Sequence, residues 1–535
     1  MSGKKIAIIG AGKAGLVSAK YALENQLKPV VFEQTKQVGG LWSRNNGTAI
    51  WDGLFTNISK YTMMFHDFPW PKDSTVFNRA EDVQHYLKSY ANQFKVFDHI
   101  KFDARVESVR KLLNNKWEVR TNSKSEVFDF LIFSPGLHSK PRIPFAKNSS
   151  KFKGLAIHSS EFRLNDPRLK DKRVLVLGCS LSGTEIASLL VGHAKTVTNI
   201  YPRTYLITPR LVKYKLSSDS THGTLYKILP TDLFFNRRVF NYPDPKLGQN
   251  EVKQIKLDTF KRLFPYQTNK DSSHPDLYVD LDKPGQDILI AISDYYLAHV
   301  QKGKIKPIRS KIEEFEENSV KLENGLNVDC DAIVYCTGYD ISNDILDESI
   351  LETVKYDKTD HKYSLLLYKC TFHPDLKNFA MIGQTDGSFY TGDELQAYWA
   401  NRVFNGKISL PSRDVMLNEI QKEEQKRNKN RRSQYPYGNY TVMVDKLAKE
   451  CGLLPNFEAI KKQDEHLYEL LWNSGVNSNS FFLEKNMSIN IMNEIFEMNS
   501  REFVFEKNFD QITLEDMVAE YSKYYKLPKN LFKNK

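Results

Sequence analysis

An α/β fold with two Rossmann-like dinucleotide-binding units is what this 535-residue sequence predicts. Three observations predict it. "KIAIIGAGKAG" near the N-terminus sets an apolar run, a glycine turn and a helical pattern in succession. "KRVLVLGCSLSG" repeats that arrangement further along. Two more buried-type runs, "DFLIFSPGLH" and "DAIVYCTGYD", also end in small residues and a glycine turn.

The elements follow in order. Lys5 to Ile9 is short, apolar and β-branched, as a buried parallel strand is. Gly10 permits the tight turn, Gly12 lets a pyrophosphate approach the backbone, and Gly15 lets helix and strand pack closely. "LVSAKYALENQ" then has helical spacing, and its N-terminus offers free N–H groups and a positive dipole end to a phosphate. "PVVFE" is a second strand ending at Glu33, close to the roughly 20-residue spacing of the acid that holds a ribose hydroxyl. An unphosphorylated ribose suits that acid, so FAD is the expectation for the first of the two units.

In the second copy the strand is Arg173 to Leu177, the turn Gly178 to Gly183 and the helix Thr184 to Leu190. Ser180 stands where the middle glycine is usual. "TVTNIYPR" supplies the next strand and ends at Arg203, not at an acid. An acid there repels a 2′-phosphate and an arginine pairs with it, which favours NADP over NAD; an ordinary exposed arginine is the alternative.

Composition bounds the function. Hydrophobic residues make up 41% and charged ones 26%, enough for a large core. Five scattered cysteines contain no C-x-x-C pair, which excludes a disulfide framework, a zinc site and a redox dithiol and fits a reducing cytosol. The net charge of +11 is spread along the chain, so nucleic acid is not expected as a partner, and with no persuasive metal-ligand cluster neither is a metal. The one dense basic run, "KEEQKRNKNRR" at Lys422 to Arg432, reads as a solvated helix face or loop. No apolar run reaches about 18 residues, so no transmembrane helix is expected. The N-terminus is too glycine-rich for a secretory signal.

Several motifs together resemble the flavin-containing monooxygenase family, the class B flavoproteins of dimethylaniline N-oxide-forming type. "FKGLAIHSSEF" (Phe152 to Phe162) matches F-x-G-x-x-x-H-x-x-x-[YF], just ahead of the second glycine turn. "YCTGYD" resembles the family's A-T-G-Y, with Cys336 for the alanine. "FEQTKQVGGLW" resembles its FAD segment, "LFTNISKYTMMFHDFPWP" its active-site segment, and "DELQAYWANRVFNGKISLPS" its C-terminal FAD-domain helix. The similarity reaches about residue 485.

The resemblance implies an NADP domain inserted in an FAD domain: residues 1–165 and 340–440 for FAD, 166–339 for NADP with a variable insertion at about 213–282, and a mainly helical extension at 441–535. It implies NADPH reduction of FAD, reaction with O₂ to a flavin 4a-hydroperoxide, and oxygen transfer to an amine nitrogen or sulfide sulfur. FAD contacts carry over to Gly10, Gly12, Ala14, Gly15, Glu33, Gly40, Leu41, Trp42, Thr56 and Gln384. NADP contacts carry over to Gly178, Ser180, Ser182, Gly183, Thr184, Glu185 and Arg203. Asn57 is the implied catalytic residue, beside flavin and nicotinamide, with Met, Phe and Trp neighbours keeping the pocket dry. Alternatively Asn57 caps a helix starting at Ile58 or Ser59. His158 reads as a structural link between the nucleotide units.

A Baeyer–Villiger enzyme shares the architecture, but its signature ends in Trp-Pro where this one ends Phe162-Arg163. An N-hydroxylating enzyme, an uncoupled NADPH oxidase and a flavin-binding regulatory protein are the other readings. In the tail, Thr513 and Asp516 resemble a capping box, and Leu514, Met517, Val518 and Tyr521 share a helix face too short to span a bilayer. That face is expected to dock on the chain's own body or on a second subunit in a homodimer. Lys529, Lys533 and Lys535 give at most weak membrane-surface contact in a cytoplasmic protein.

Overall fold

The computed structural model describes residues 3–43, 50–51, 53–122, 124–138, 140–217, 224–242, 249–283, 288–341, 343–385, 389–429, 439–484, 486–505, 511–528 and 531–532. Lys529, Lys533, Lys535 and the end of the basic run, from Asn430, lie outside them.

The chain opens with β1 (Lys5–Ile9), α1 (Lys13–Glu24), β2 (Lys28–Phe32), β3 (Ile100–Lys101) and β4 (Phe130–Phe133). β1 lies parallel to β2 on one side and to β4 on the other. Beyond it, β5 (Lys140–Pro141) is a short crossover, and β6 (Leu155–His158) and β7 (Arg173–Leu177) start a second sheet. α2 (Leu181–Leu190) and β8 (Thr196–Tyr201) continue it. The strands fall at the residues the apolar runs predict. α2 starts three residues early, with Gly183 inside its first turn, because a Cβ there would lie 2.0 Å from the Gly178 carbonyl oxygen. Only a glycine lets the helix sit so close to its strand.

The insertion has more structure than its composition suggests. β9 (Leu211–Ser217) and β10 (Thr224–Pro230) form an antiparallel hairpin, and α3 (Thr231–Phe235) follows at once. Phe234, Phe235, Phe260 and Phe264 pack a separate small core there. The chain returns through β11 (Ile305–Arg309), β12 (Ala332–Tyr335), β13 (Tyr339–Asp340) and β14 (Phe379–Met381). The first sheet runs β14-β4-β1-β2-β3 and the second β11-β8-β7-β12-β6. The two crossovers, β5 and β13, pair antiparallel with each other. β6 joins the second sheet ahead of residue 166, so the "FKGLAIH" strand belongs to the second unit and not the first, against β12.

α4 (Tyr390–Phe404) is buried along most of its length and lies against α1. Lys13 pairs with Asp393, and the Asn401 side chain donates to the Ser18 carbonyl at 3.2 Å. α5 (Arg413–Lys429) exposes its basic face, as the charge run suggests. Last come α6 (Asn486–Ser500), β15 (Phe503–Phe505) and α7 (Leu514–Tyr521), whose Thr513–Asp516 capping box is formed. The tail docks on the chain's own body: Ile495, Met498, Phe503, Met517 and Tyr521 belong to the same core as Ile6 and Ile8 of β1.

Candidate active site

The two glycine turns are built alike and differ in what presses on them. At Gly10, with φ +100°, a Cβ would meet the Ser134 carbonyl oxygen at 2.6 Å; at Gly178, with φ +109°, it would meet that of Cys336 at 2.4 Å. This is why both positions are glycines; the strand-end side chains come close at the helix glycines, Ser134 Oγ at 3.4 Å from a Cβ on Gly15 and Cys336 Cβ at 3.6 Å from one on Gly183. Gly15, like Gly183, is demanded by packing, for its Cβ would lie 1.8 Å from the Gly10 carbonyl oxygen. Gly12 is different. A Cβ there meets only Gly40 Cα at 3.5 Å, an ordinary contact, so the protein itself leaves room at this point. Gly40, at φ +53°, folds the next turn back against it.

Around that opening stand the other residues expected at a dinucleotide. The N-terminus of α1 has no side-chain cap, so its N–H groups face outward. Glu33 is buried just past β2, with one oxygen accepting from Ala11 N at 2.8 Å and the other from Thr35 N at 2.9 Å. Its carboxylate is thereby aimed from the strand end. Ala14 is buried in α1. Gln384 follows β14; its amide donates to the Lys362 carbonyl at 3.3 Å, while its Oε1 is buried with no hydrogen-bond partner among the described residues.

A cavity of about 520 Å³ opens between the two units. Leu41, Trp42, Thr56, Asn57, Gly178, Ser180, Ser182, Glu185 and Arg203 all line it, so residues far apart in sequence converge. Thr184 does not face it; it is fully buried and donates back to the Ser180 carbonyl at 3.1 Å. α2 also lacks a side-chain cap at Ser180. Arg203 is exposed at the rim just past β8.

Asn57 is half-buried and begins an irregular loop, not a helix. The capping role is therefore set aside. The reason lies in the residues that follow. Ser59 and Thr62 hydroxyls both donate to Asp232 Oδ2, at 2.7 and 2.6 Å, and Lys60 N donates across the loop to the Val76 carbonyl at 2.7 Å. Thr56 N and the Asn78 carbonyl close the loop's neck at 2.8 Å. Within the loop, Ile58 and Met63 face the cavity, whereas Met64, Phe65 and Trp70 face the core. The dry wall thus comes from Trp42, Ile50, Trp51, Leu54, Phe55, Ile58 and Met63.

The loop's far end is anchored by polar side chains. His66 Nδ1 lies 2.7 Å from Glu394, and Lys20 lies 2.7 Å from Asp67. His66, Asp67 and Glu394 have the spacing of a metal site. Lys20 already neutralises this group, and we assign it a structural role.

Sequence reasoning missed Arg210. It is buried, and its Nε donates to the Thr56 carbonyl at 2.9 Å, one peptide from Asn57. Its Nη1 lies 3.1 Å from Glu185 and 2.5 Å from Asp294. Burial alone works against the charge, but the two carboxylates outweigh it and raise the guanidinium further. Arg142, also missed, lines the cavity and donates to the Thr337 carbonyl at 2.7 Å. Burial pulls its charge down; nearby Arg203 adds to that, and Asp340 opposes it. Pro141-Arg142, Pro202-Arg203 and Pro209-Arg210 are three Pro-Arg steps at this cavity, but Pro167-Arg168 lies away from it, so the step alone does not mark the site. His138 lines the wall too, held down to about 4 by burial first and Lys13 second, so it is neutral near pH 7.

His158 is a strut. Its Nδ1 accepts from Ser160 N at 3.2 Å, so Nε2 carries the proton and donates to the Gly338 carbonyl at 3.1 Å, joining the end of β6 to the turn after β12.

Comparison with known proteins agrees with this geometry. A family model described as flavin-binding monooxygenase-like matches residues 3–486. A dimethylaniline monooxygenase [N-oxide-forming] 2 of Oryctolagus cuniculus is 31% identical over 507 residues, spanning 90% of this chain and 88% of that protein. Flavin-containing monooxygenase 2 of Homo sapiens is 30% identical over 501 residues, with the same coverage of 90% and 88%. Among solved structures, S-allyl-L-cysteine S-oxygenase from Allium sativum superposes with a TM-score of 0.60 at 19% identity, covering 92% of this chain and 99% of that one. Cyclohexanone monooxygenase from Rhodococcus sp. Phi1 bound to NADP+ gives 0.60 at 15% identity, covering 84% and 97%. The solved structures share the fold.

Proposed function

The chain belongs to the flavin-binding monooxygenase-like family, and from that premise we propose that it oxygenates a soft amine nitrogen or sulfide sulfur in the cavity between its two nucleotide units. It is an NADPH-dependent flavin monooxygenase. Bound FAD supplies the redox and oxygen chemistry, and the chain supplies binding, orientation and dryness.

Each residue then has a task. The free N-terminus of α1 and the space left at Gly12 receive the FAD pyrophosphate, and Glu33 accepts from the ribose hydroxyls. The N-terminus of α2 takes the second pyrophosphate, with Ser180 tolerated where glycine is usual. Arg203 pairs with the 2′-phosphate and Arg142 adds charge to the same rim. Asn57, on the cavity wall, would hold the flavin and nicotinamide ends with its amide. Arg210 holds the Thr56 carbonyl and so fixes the peptide from which Asn57 projects. The apolar wall excludes water, which otherwise diverts activated oxygen to peroxide.

The observation that carries this reading is the convergence of Trp42, Asn57, Ser180 and Arg203 on one cavity. The test is a turnover assay with ¹⁸O₂ across a panel of tertiary amines and thioethers. One ¹⁸O atom per product, taken from O₂, supports oxygenation. Label from water, or NADPH oxidation with no labelled product, overturns it.

Among the described residues no helix is long and apolar enough to cross a membrane. Five free cysteines suit a reducing compartment, and we place the enzyme in the cytoplasm.

A further inference from the structure

The family match stops at residue 486, but the chain continues into α6, β15 and α7. These elements reach back across the molecule to the loop that carries Asn57. We propose that the segment beyond residue 486 is a latch on this active-site loop, with Glu494 as a positioning residue that acts through Tyr61 and Lys60.

The loop from Asn57 to Phe77 contains no helix and no strand longer than an isolated bridge. Such a stretch has many conformations available, whereas a wall that excludes water needs one. Its inner face is the cavity. Its outer face is held by the tail. Lys60 N donates to the Val76 carbonyl at 2.7 Å, and Val76 N donates in turn to the Lys526 carbonyl at 2.9 Å. The tail therefore acts as a third rung beside residue 60, three residues from Asn57. Lys526 Nζ reaches the Asp73 carbonyl at 2.5 Å, and the Phe532 ring meets Phe77 edge-on at 6.4 Å.

Glu494 of α6 binds two neighbours at once. The Tyr61 hydroxyl donates to it at 2.6 Å, and Lys60 Nζ lies 3.8 Å away. Both side chains are buried, so the half-exposed Glu494 is the surface end of a connection into the loop. Behind them Asp232 takes the Ser59 and Thr62 hydroxyls, and Tyr521 of α7 lies close enough to feel its charge. The latch is itself secured. β15 pairs antiparallel with β10, Phe503 opposite Tyr226, and Lys213 Nζ donates to the Ile512 carbonyl at 2.6 Å.

The consequence for turnover rests on the monooxygenase reading; the latch itself does not. Glu494→Ala, Tyr61→Phe and Glu494→Gln therefore need two readouts in the full-length FAD-loaded protein. In Glu494→Ala, hydrogen exchange at the Lys60 and Val76 amides is expected to speed up by about fivefold or more, with the β7 amides unchanged. Peroxide per NADPH is expected to rise roughly threefold in Glu494→Ala and Tyr61→Phe, with FAD content kept, and to return toward wild type in Glu494→Gln, whose amide oxygen still accepts the phenol proton. Wild-type exchange and wild-type peroxide in Glu494→Ala overturn the proposal, and so does a Glu494→Gln variant as leaky as Glu494→Ala. If the wild type shows no substrate-stimulated turnover, the monooxygenase reading fails, and the exchange measurement still decides the latch.

Discussion

Single side chains carry the coenzyme and oxygen specificities proposed for this chain. Arg203→Ala is expected to raise KM for NADPH and leave that for NADH nearly unchanged. A charge-assisted contact contributes about 1.5–3 kcal/mol, a factor of roughly 10 to 100. Arg142 on the same rim shares the load, so we expect the lower end; equal changes for both coenzymes would leave Arg203 no coenzyme role. Asn57→Leu is expected to keep FAD and its reduction by NADPH while product per NADPH falls and peroxide rises. Wild-type coupling in that variant would remove Asn57 from the site. Arg203 and Glu33 are proposed from their step after a glycine turn and Asn57 from the resemblance of its segment, and the fold brings Arg203 and Asn57 to one cavity. Arg210 and Arg142 were not legible in the sequence, because a buried arginine in an irregular segment leaves no periodic mark. Their roles come from carbonyls and carboxylates brought in by tertiary structure: Thr56, Glu185 and Asp294 for one, Thr337 for the other.

At the scale of elements, the two glycines of the first turn separate folding from binding. Gly15→Ala would drive a methyl into the Gly10 carbonyl, so α1 must move off β1. Overpacking of this kind costs about 1–3 kcal/mol, which a melting curve with and without FAD would register. Gly12→Val meets no such obstacle at its first carbon, so the fold should persist while FAD is lost; a Gly12→Val protein that keeps its flavin would contradict the assigned path of the pyrophosphate. β1, β4, β7 and β12 were readable because parallel strands buried on both faces are continuous apolar runs. The start of α2 was not, because a glycine that looks like part of the turn is inside the helix for packing reasons. The insertion was obscure for a similar cause. Its hairpin packs partly on β15, and its phenylalanines face each other in a pattern no local period reveals.

Over the whole molecule, the repeated turn made the two-sheet plan legible, and distance in sequence hid the rest. Tyr61 and Glu494 are 433 residues apart, and neither stands out in its own neighbourhood. Histidines held below their ordinary range contribute to the acid response. His138 is held down to about 4, and His158 is also lowered, in both cases by burial first. An unfolded histidine takes its proton near 6.5, so below that pH the unfolded state binds more protons than the native one. Stability should fall as pH drops from about 6.5 toward about 4, and the slope of Tm against pH should be shallower in His138→Gln; an unchanged slope would show that other groups govern the acid limb. The central claim is that both cofactors work in one dry cavity, so that NADPH oxidation is tied to oxygen transfer. The most direct measurement is NADPH consumption by the FAD-loaded protein with and without a thioether, with peroxide determined in parallel. Substrate-stimulated consumption, one oxygenated product per NADPH and little peroxide are expected. Consumption that ignores the thioether and ends wholly as peroxide would contradict the central claim.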